Sequence, residues 1–152
     1  GAMGLIVNQP APELTFGDLL EQLSIDTGGA SPELQIHVGG PVEHGRGFVL
    51  HSGEYAIADS TLRVDAWFGM TATLEILEDM ALERGPKQAL LALGYSGWAP
   101  GQLEAEIVQN GWLTCDATPE IVFSAQHGRK WEMALATLGI DPLTLSAAAG
   151  HA

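Results

Sequence analysis

The stretch Leu93–Trp112, LGYSGWAPGQLEAEIVQNGW, constrains the fold of this chain more than any other. It reads as the end of an apolar strand, a glycine-rich turn, a helix start and a helix stop. The strand before it is predicted over Ala89–Tyr95. The helix is predicted from about Pro100, a residue suited to the first helical position, to Asn110, with Asn110-Gly111 as its stop. A buried strand running straight into a helix requires a sheet with helices packed on it. The same segment gathers a candidate binding patch of Ser96, Trp98, Gln102, Glu106 and Asn110 around the turn. On a helix Gln102, Glu106 and Asn110 share one face, and Leu103 and Ile107 form the apolar stripe beside them.

The remaining periodicities agree with that class. A first strand, Ala2–Val7, ends at the turn Asn8-Gln9-Pro10. Thr15 caps a short helix with Asp18 at the reciprocal position and Leu19, Leu20 and Leu23 on its apolar face. Thr27 to Pro32 is a Gly/Ser/Pro loop, the place where mobility is expected. Strands are predicted over Leu34–Val38, Arg46–Ser52, Thr61–Val64 and Ala66–Phe68, with Gly39-Gly40-Pro41 reversing the chain between the first two. A helix from Thr71 or Thr73 to about Glu83 stops at Gly85-Pro86. Short strands at Trp112–Thr114 and Ile121–Phe123 precede a last helix, about Gly128–Leu138, that turns Trp131, Leu135 and Leu138 inward and closes at Gly139. The tail from Ile140 to Ala152 has no strong period. The mixture predicts one α/β or α+β domain over residues 1–152.

Charge narrows the function. Six Lys and Arg stand against 19 Asp and Glu, a net charge of −13. A polyanion meets repulsion from such a surface, and the basic residues Arg46, Arg63, Arg84, Lys87, Arg129 and Lys130 cluster only as the pair 129–130. Direct nucleic-acid binding is therefore disfavoured. No apolar run approaches the ~20 residues that span a bilayer. Cys115 is the single cysteine, which fits a reducing, cytoplasmic setting and a partly buried packing role.

Several constellations invite chemistry and fall short of a signature. Ser96 sits at a strand-to-helix turn, as a nucleophile elbow requires, but Trp98 occupies the last glycine position of Gly-x-Ser-x-Gly, where an indole blocks close strand–helix approach. Anion capture at the helix start is offset by Glu104 and Glu106. His37, His44 and His51 recur every seven residues, yet an odd interval alternates faces on a strand and no His-x-x-x-His pair exists, so no metal site is expected. His51 ends a strand and could serve as a general base, although a structural histidine bonded to backbone is the commoner role. Gly39-Gly40-Pro41 lacks any nucleotide-loop pattern, and the tryptophans lack the flanking basic residues of a base-stacking platform. No cofactor is expected.

An ordered set of segments resembles the AlgH/YqgE family of small bacterial proteins. The set is Gly1–Asn8, Val38-Gly39-Gly40-Pro41-Val42, Gly47–His51, Leu93–Trp98, Gly101–Glu104 with Glu106-Ile107, Asn110, Trp112-Leu113, Trp131, and the tail Gly139–Pro142 to Ala149–Ala152. The resemblance implies an α/β fold whose branched sheet curls into a pseudo-barrel flanked by helices. It implies that the Gly-Ala-Met start is natural sequence and that members carry further N-terminal strands, so that an open sheet edge here is expected to be covered by a partner chain, such as a second copy in a homo-oligomer, or by rearrangement. It brings no catalytic residues and no cofactor. Some members are labelled transcriptional regulators. The expected function is therefore a regulatory protein acting through a protein partner or a small ligand rather than by direct DNA binding. The alternative is a hydrolase-like enzyme using Ser96, His51 and Glu106, which requires the three to converge.

Overall fold

A computed structural model describes residues 1–27 and 33–145. Most of the loop expected over Thr27–Pro32 and the tail from residue 146 onward lie outside the described residues. Among those described, the strands are β1 (Ala2–Gly4), β2 (Pro10–Thr15), β3 (Gln35–Val38), β4 (Val42–Ser52), β5 (Thr61–Arg63), β6 (Phe68–Thr71) and β7 (Ala89–Trp98). The helices are α1 (Phe16–Gln22), α2 (Leu74–Ala81), α3 (Gln102–Val108), α4 (Pro119–Val122) and α5 (Lys130–Thr137). The chain divides into two compact units, Gly4–Ser96 and a smaller one joining Gly1–Met3 to Gly97–Ala152.

The larger unit holds a mixed, open sheet in the order β2-β3-β7-β4-β6-β5, and β1 branches off it beside β7. β3 runs parallel to β7, while β4 is antiparallel to both β7 and β6. Ile36, Val49 and Leu91 project from β3, β4 and β7 into one core with Phe16 and Leu20 of α1 and Ile76, Leu77 and Met80 of α2. Each fully buried side chain of this size contributes about 1.5–3 kcal/mol. The cap of α1 is as predicted: the Asp18 amide donates to Thr15 Oγ1 at 3.0 Å. α2 begins after Thr73 and ends before Gly85.

The Gly39-Gly40-Pro41 reversal joins β3 to β4, but those strands are not neighbours. β7 lies between them, so the connection must pass over the β7 backbone. A Cβ on Gly39 would stand 2.2 Å from Gly94 O, and one on Gly40 would stand 2.1 Å from Tyr95 C. Gly94 returns the constraint: its φ is +79° and its Cβ would lie 2.6 Å from Gly40 O. Only glycine permits such a crossing.

Other expectations are corrected. The first strand is shorter than Ala2–Val7, and Pro10–Thr15 is a strand that its prolines concealed. β2 ends the sheet path, where a missing N–H is tolerated and proline blunts strand addition. The strand expected at Ala66–Phe68 begins only at Phe68, because Asp65 Oδ1 accepts from the Trp67 and Phe68 amides at 2.8 and 2.9 Å and makes a turn.

In the smaller unit, Ile121 lies in α4 rather than in a strand, with Thr118 at the N-cap and Pro119 in the first turn. Trp112–Thr114 is not a strand either, and Cys115 beyond it is exposed, not partly buried. α5 turns Leu135 inward as expected, whereas Trp131 and Leu138 are exposed. Gly139 closes the helix at φ +70°. No helix among the described residues is long and apolar enough to cross a membrane.

Candidate functional site

The turn after β7 builds a small polar clasp. Gly101 adopts φ +79°, a left-handed conformation that cannot belong to the helix, so α3 starts at Gln102 and Pro100 stays in the turn. Gln102 Oε1 accepts from the Ala99 amide at 2.9 Å and ties that turn to the helix. At the other end Asn110 takes φ +61°. The Asn110 amide donates to Ile107 O at 3.0 Å and the Gly111 amide to Glu106 O at 2.8 Å, the paired bonds of a left-handed helix stop. That reversal sends the chain back along α3 and brings Trp112 beside Glu106.

Glu106 is the centre. Its Oε2 accepts from Trp112 Nε1 at 2.7 Å and from Trp98 Nε1 at 3.1 Å, and its Oε1 accepts from Gln102 Nε2 at 2.9 Å. The two indoles meet edge to face at 5.8 Å between ring centroids, a favourable aromatic geometry. The Trp112 bond, then those from Gln102 and Trp98, hold the Glu106 carboxyl below its ordinary value of 4.5. Such a group stays ionised and is a poor general acid, and its lone pairs are committed to three donors. The clasp fixes both indoles in place against one carboxylate.

A pH titration checks this directly. Glu106 has a depressed folded pKa, so the clasp is complete above the unfolded value and is lost as pH falls through the folded one. The Trp98 and Trp112 indole N–H resonances are expected to move together with a midpoint below 4.5, and Glu106→Gln should remove that transition. A midpoint above the ordinary value would contradict the assignment.

Of the sequence-predicted patch, Trp98, Gln102 and Glu106 are thus joined in one network. Asn110 shapes the helix stop. Ser96 lies on β7 where the Gly40 crossing passes, a Cβ on Gly40 falling 2.5 Å from its amide nitrogen. His51 is elsewhere. It pairs with Ala89 at the opposite end of β7, and at ~3.3 Å per residue that end is on the order of 20 Å from Ser96. The His51 ring is fully buried and already bonded at both nitrogens, Nδ1 to Ser52 O at 2.9 Å and Nε2 to Thr71 Oγ1 at 2.8 Å. Since a carbonyl only accepts, Nδ1 carries the proton in the neutral ring and Thr71 donates to Nε2. Ser96 and His51 therefore do not converge as a hydrolytic pair.

Trp112 was not among the sequence-predicted site residues. The signal for it was Asn110-Gly111, because a left-handed stop returns the chain toward the helix it ends. Around it, α3 buries no residue, and Ile107, Val108, Trp112 and Leu113 are all exposed, Val108 at 81%. The Arg129–Lys130 pair offers little to a polyanion, since Lys130 is buried and desolvation lowers its ammonium to about 8. Among the described residues no group of three or more His, Cys, Asp or Glu side chains is placed to hold a metal.

A mixed α/β protein with a branched, open sheet and a carboxylate–indole clasp on its surface is what fold and site define. Residues 1–143 match the AlgH-like family model, and the chain belongs to that family. It is 58% identical over 152 residues to a UPF0301 protein of Jannaschia sp., covering 99% of this chain and 79% of that one. It is 60% identical to a UPF0301 protein of Ruegeria pomeroyi, covering 100% and 83%. The solution structure of the AlgH protein from Pseudomonas aeruginosa superposes with a TM-score of 0.75 at 40% identity, over 99% of this chain and 79% of that one. A crystal structure of a Corynebacterium diphtheriae protein shares the fold, with a TM-score of 0.68 at 16% identity over 89% and 70%.

Proposed function

We propose that this chain is a regulatory binding protein of the cytoplasm that acts through a protein partner or a small ligand, and that any effect on transcription is indirect. The observation that carries the partner reading is α3, a helix with no buried residue whose apolar side chains adjoin an indole pair already fixed by Glu106. Surface apolar groups gathered in this way are commonest at interaction sites. Tryptophan is enriched among residues that dominate binding energy, and a side chain ordered before contact loses less entropy on binding. The net charge of −13 favours a partner with a basic rim around an apolar centre. A free sulfhydryl at exposed Cys115 agrees with a reducing compartment.

The test is affinity capture from lysate of a bacterium that carries the family. The wild type is compared with Val108→Asp and Trp112→Ala, each verified as folded by its melting temperature. A protein retained by the wild type and lost with both variants is the expected result. An identical set of captured proteins from all three would remove this surface from the account.

A further inference from the structure

We propose that the cavity between α1, α2 and the β4–β7 pair, in the Gly4–Ser96 unit, binds a small uncharged apolar molecule the size of one aromatic ring or a short branched chain. The cavity measures about 170 Å³ and is walled by Leu19, Leu23, Val49, Leu77, Leu91 and Leu93. An apolar cavity of about 150 Å³ is enough to hold benzene. No charged side chain lines it, and a buried unpaired charge is costly, so an ionic ligand is excluded. The hydroxyl of Thr71 at its edge is engaged with His51 and Thr61.

The floor carries the argument. Gly45 and Gly47 of β4 line the cavity, and at neither would a Cβ collide with a neighbour. A Cβ on Gly47 would meet Leu93 Cδ2 at 3.7 Å and Leu91 Cδ1 at 3.9 Å, ordinary contacts, and one on Gly45 would meet nothing within 4 Å. Gly39 and Gly40 differ, since there the backbone of β7 leaves no room. Glycine weakens a strand and leaves a gap in its packing, and within strands it marks a bulge or close approach by a ligand or another backbone; the register of β4 against β7 shifts between Val42 and Gly47. The irregularity of β4 ends at Gly47, no neighbour excludes a side chain at either glycine, and both border one apolar void; together these point to a void kept open for an occupant. The site is independent of the Trp98–Trp112 surface.

The probe is benzene, with benzoate as its charged counterpart, followed by amide NMR shifts of the whole chain. Benzene should give saturable shifts centred on Leu19, Gly47, Leu77 and Leu91, and benzoate none. Gly47→Val should melt no lower than wild type and bind benzene at least about tenfold more weakly. Gly45→Val provides the same occlusion from the open side if the first variant fails to fold. Trp112→Ala should bind benzene as wild type does, which separates this site from the partner surface. Shifts that do not saturate, or unchanged affinity in a folded valine variant, would overturn the proposal.

Discussion

Gly40→Ala is expected to destabilise the fold by about 3 kcal/mol or more, at the upper end of what overpacking costs. The methyl group would lie 2.1 Å from Tyr95 C, 2.3 Å from Tyr95 O and 2.5 Å from Ser96 N. All three are backbone atoms of β7, a strand paired on both sides, so none can swing away as a side chain would. Relief requires lifting the β3–β4 connection off β7, which also disturbs the Gly39 amide's bond to Leu93 O at 2.8 Å. Against a total stability of roughly 5–15 kcal/mol, that loss is a large share. Urea unfolding measures it as a lower midpoint. Gly45→Ala is the control: nothing lies within 4 Å of its Cβ, and its midpoint should shift by no more than about 0.5 kcal/mol equivalent. Equal behaviour of the two variants would contradict the crossing.

His51→Ala has the second large effect, again about 3 kcal/mol. His51 anchors a directional chain in which the Ile57 amide donates to Thr61 Oγ1 at 2.8 Å, Thr61 to Thr71 Oγ1 at 2.8 Å, Thr71 to His51 Nε2, and His51 Nδ1 to Ser52 O. Its ring also packs edge to face on Tyr55 at 5.3 Å. Truncation leaves the buried Thr71 hydroxyl without its acceptor and empties the ring's volume beside Gly69, whose Cβ would stand 2.6 Å from His51 Cε1. His51→Gln, which keeps a donor and an acceptor, should recover part of the loss. Calorimetric melting distinguishes the three proteins, and a wild-type melting temperature for His51→Ala would refute the chain.

These two positions show where the sequence was legible and where it was not. Local signals carried well: Thr15 and Asp18 marked the start of α1, Gly85-Pro86 the stop after α2, and Asn110-Gly111 the stop after α3, because each rests on neighbouring residues. Long-range pairing did not carry. Val38-Gly39-Gly40-Pro41 reads as a simple reversal, and nothing within it tells that a strand fifty residues later lies beneath. β2 was hidden because proline argues against a strand unless the strand is known to lie at an edge. His51 was legible as a structural histidine bonded to backbone, the role its Nδ1 bond to Ser52 O gives it, but its partner Thr71 and its neighbours Ala89 and Gly69 come from strands that the local sequence does not reveal. The candidate patch was read as a turn and one helix face, while the structure adds to it Trp112 from the segment after the helix. Gly47 was legible only as part of a family segment, and the cavity that it and Gly45 border was not, since an open void leaves no mark on the residues beside it in sequence.

In the function we propose, the exposed face of α3 with the Trp98–Glu106–Trp112 clasp is a binding surface. Its most direct measurement is calorimetric titration of the captured partner into wild type and into folded Trp112→Ala. A residue that anchors an interface typically contributes 2 kcal/mol or more, so the dissociation constant should rise by about thirtyfold or beyond. Equal dissociation constants for the two proteins would contradict the claim.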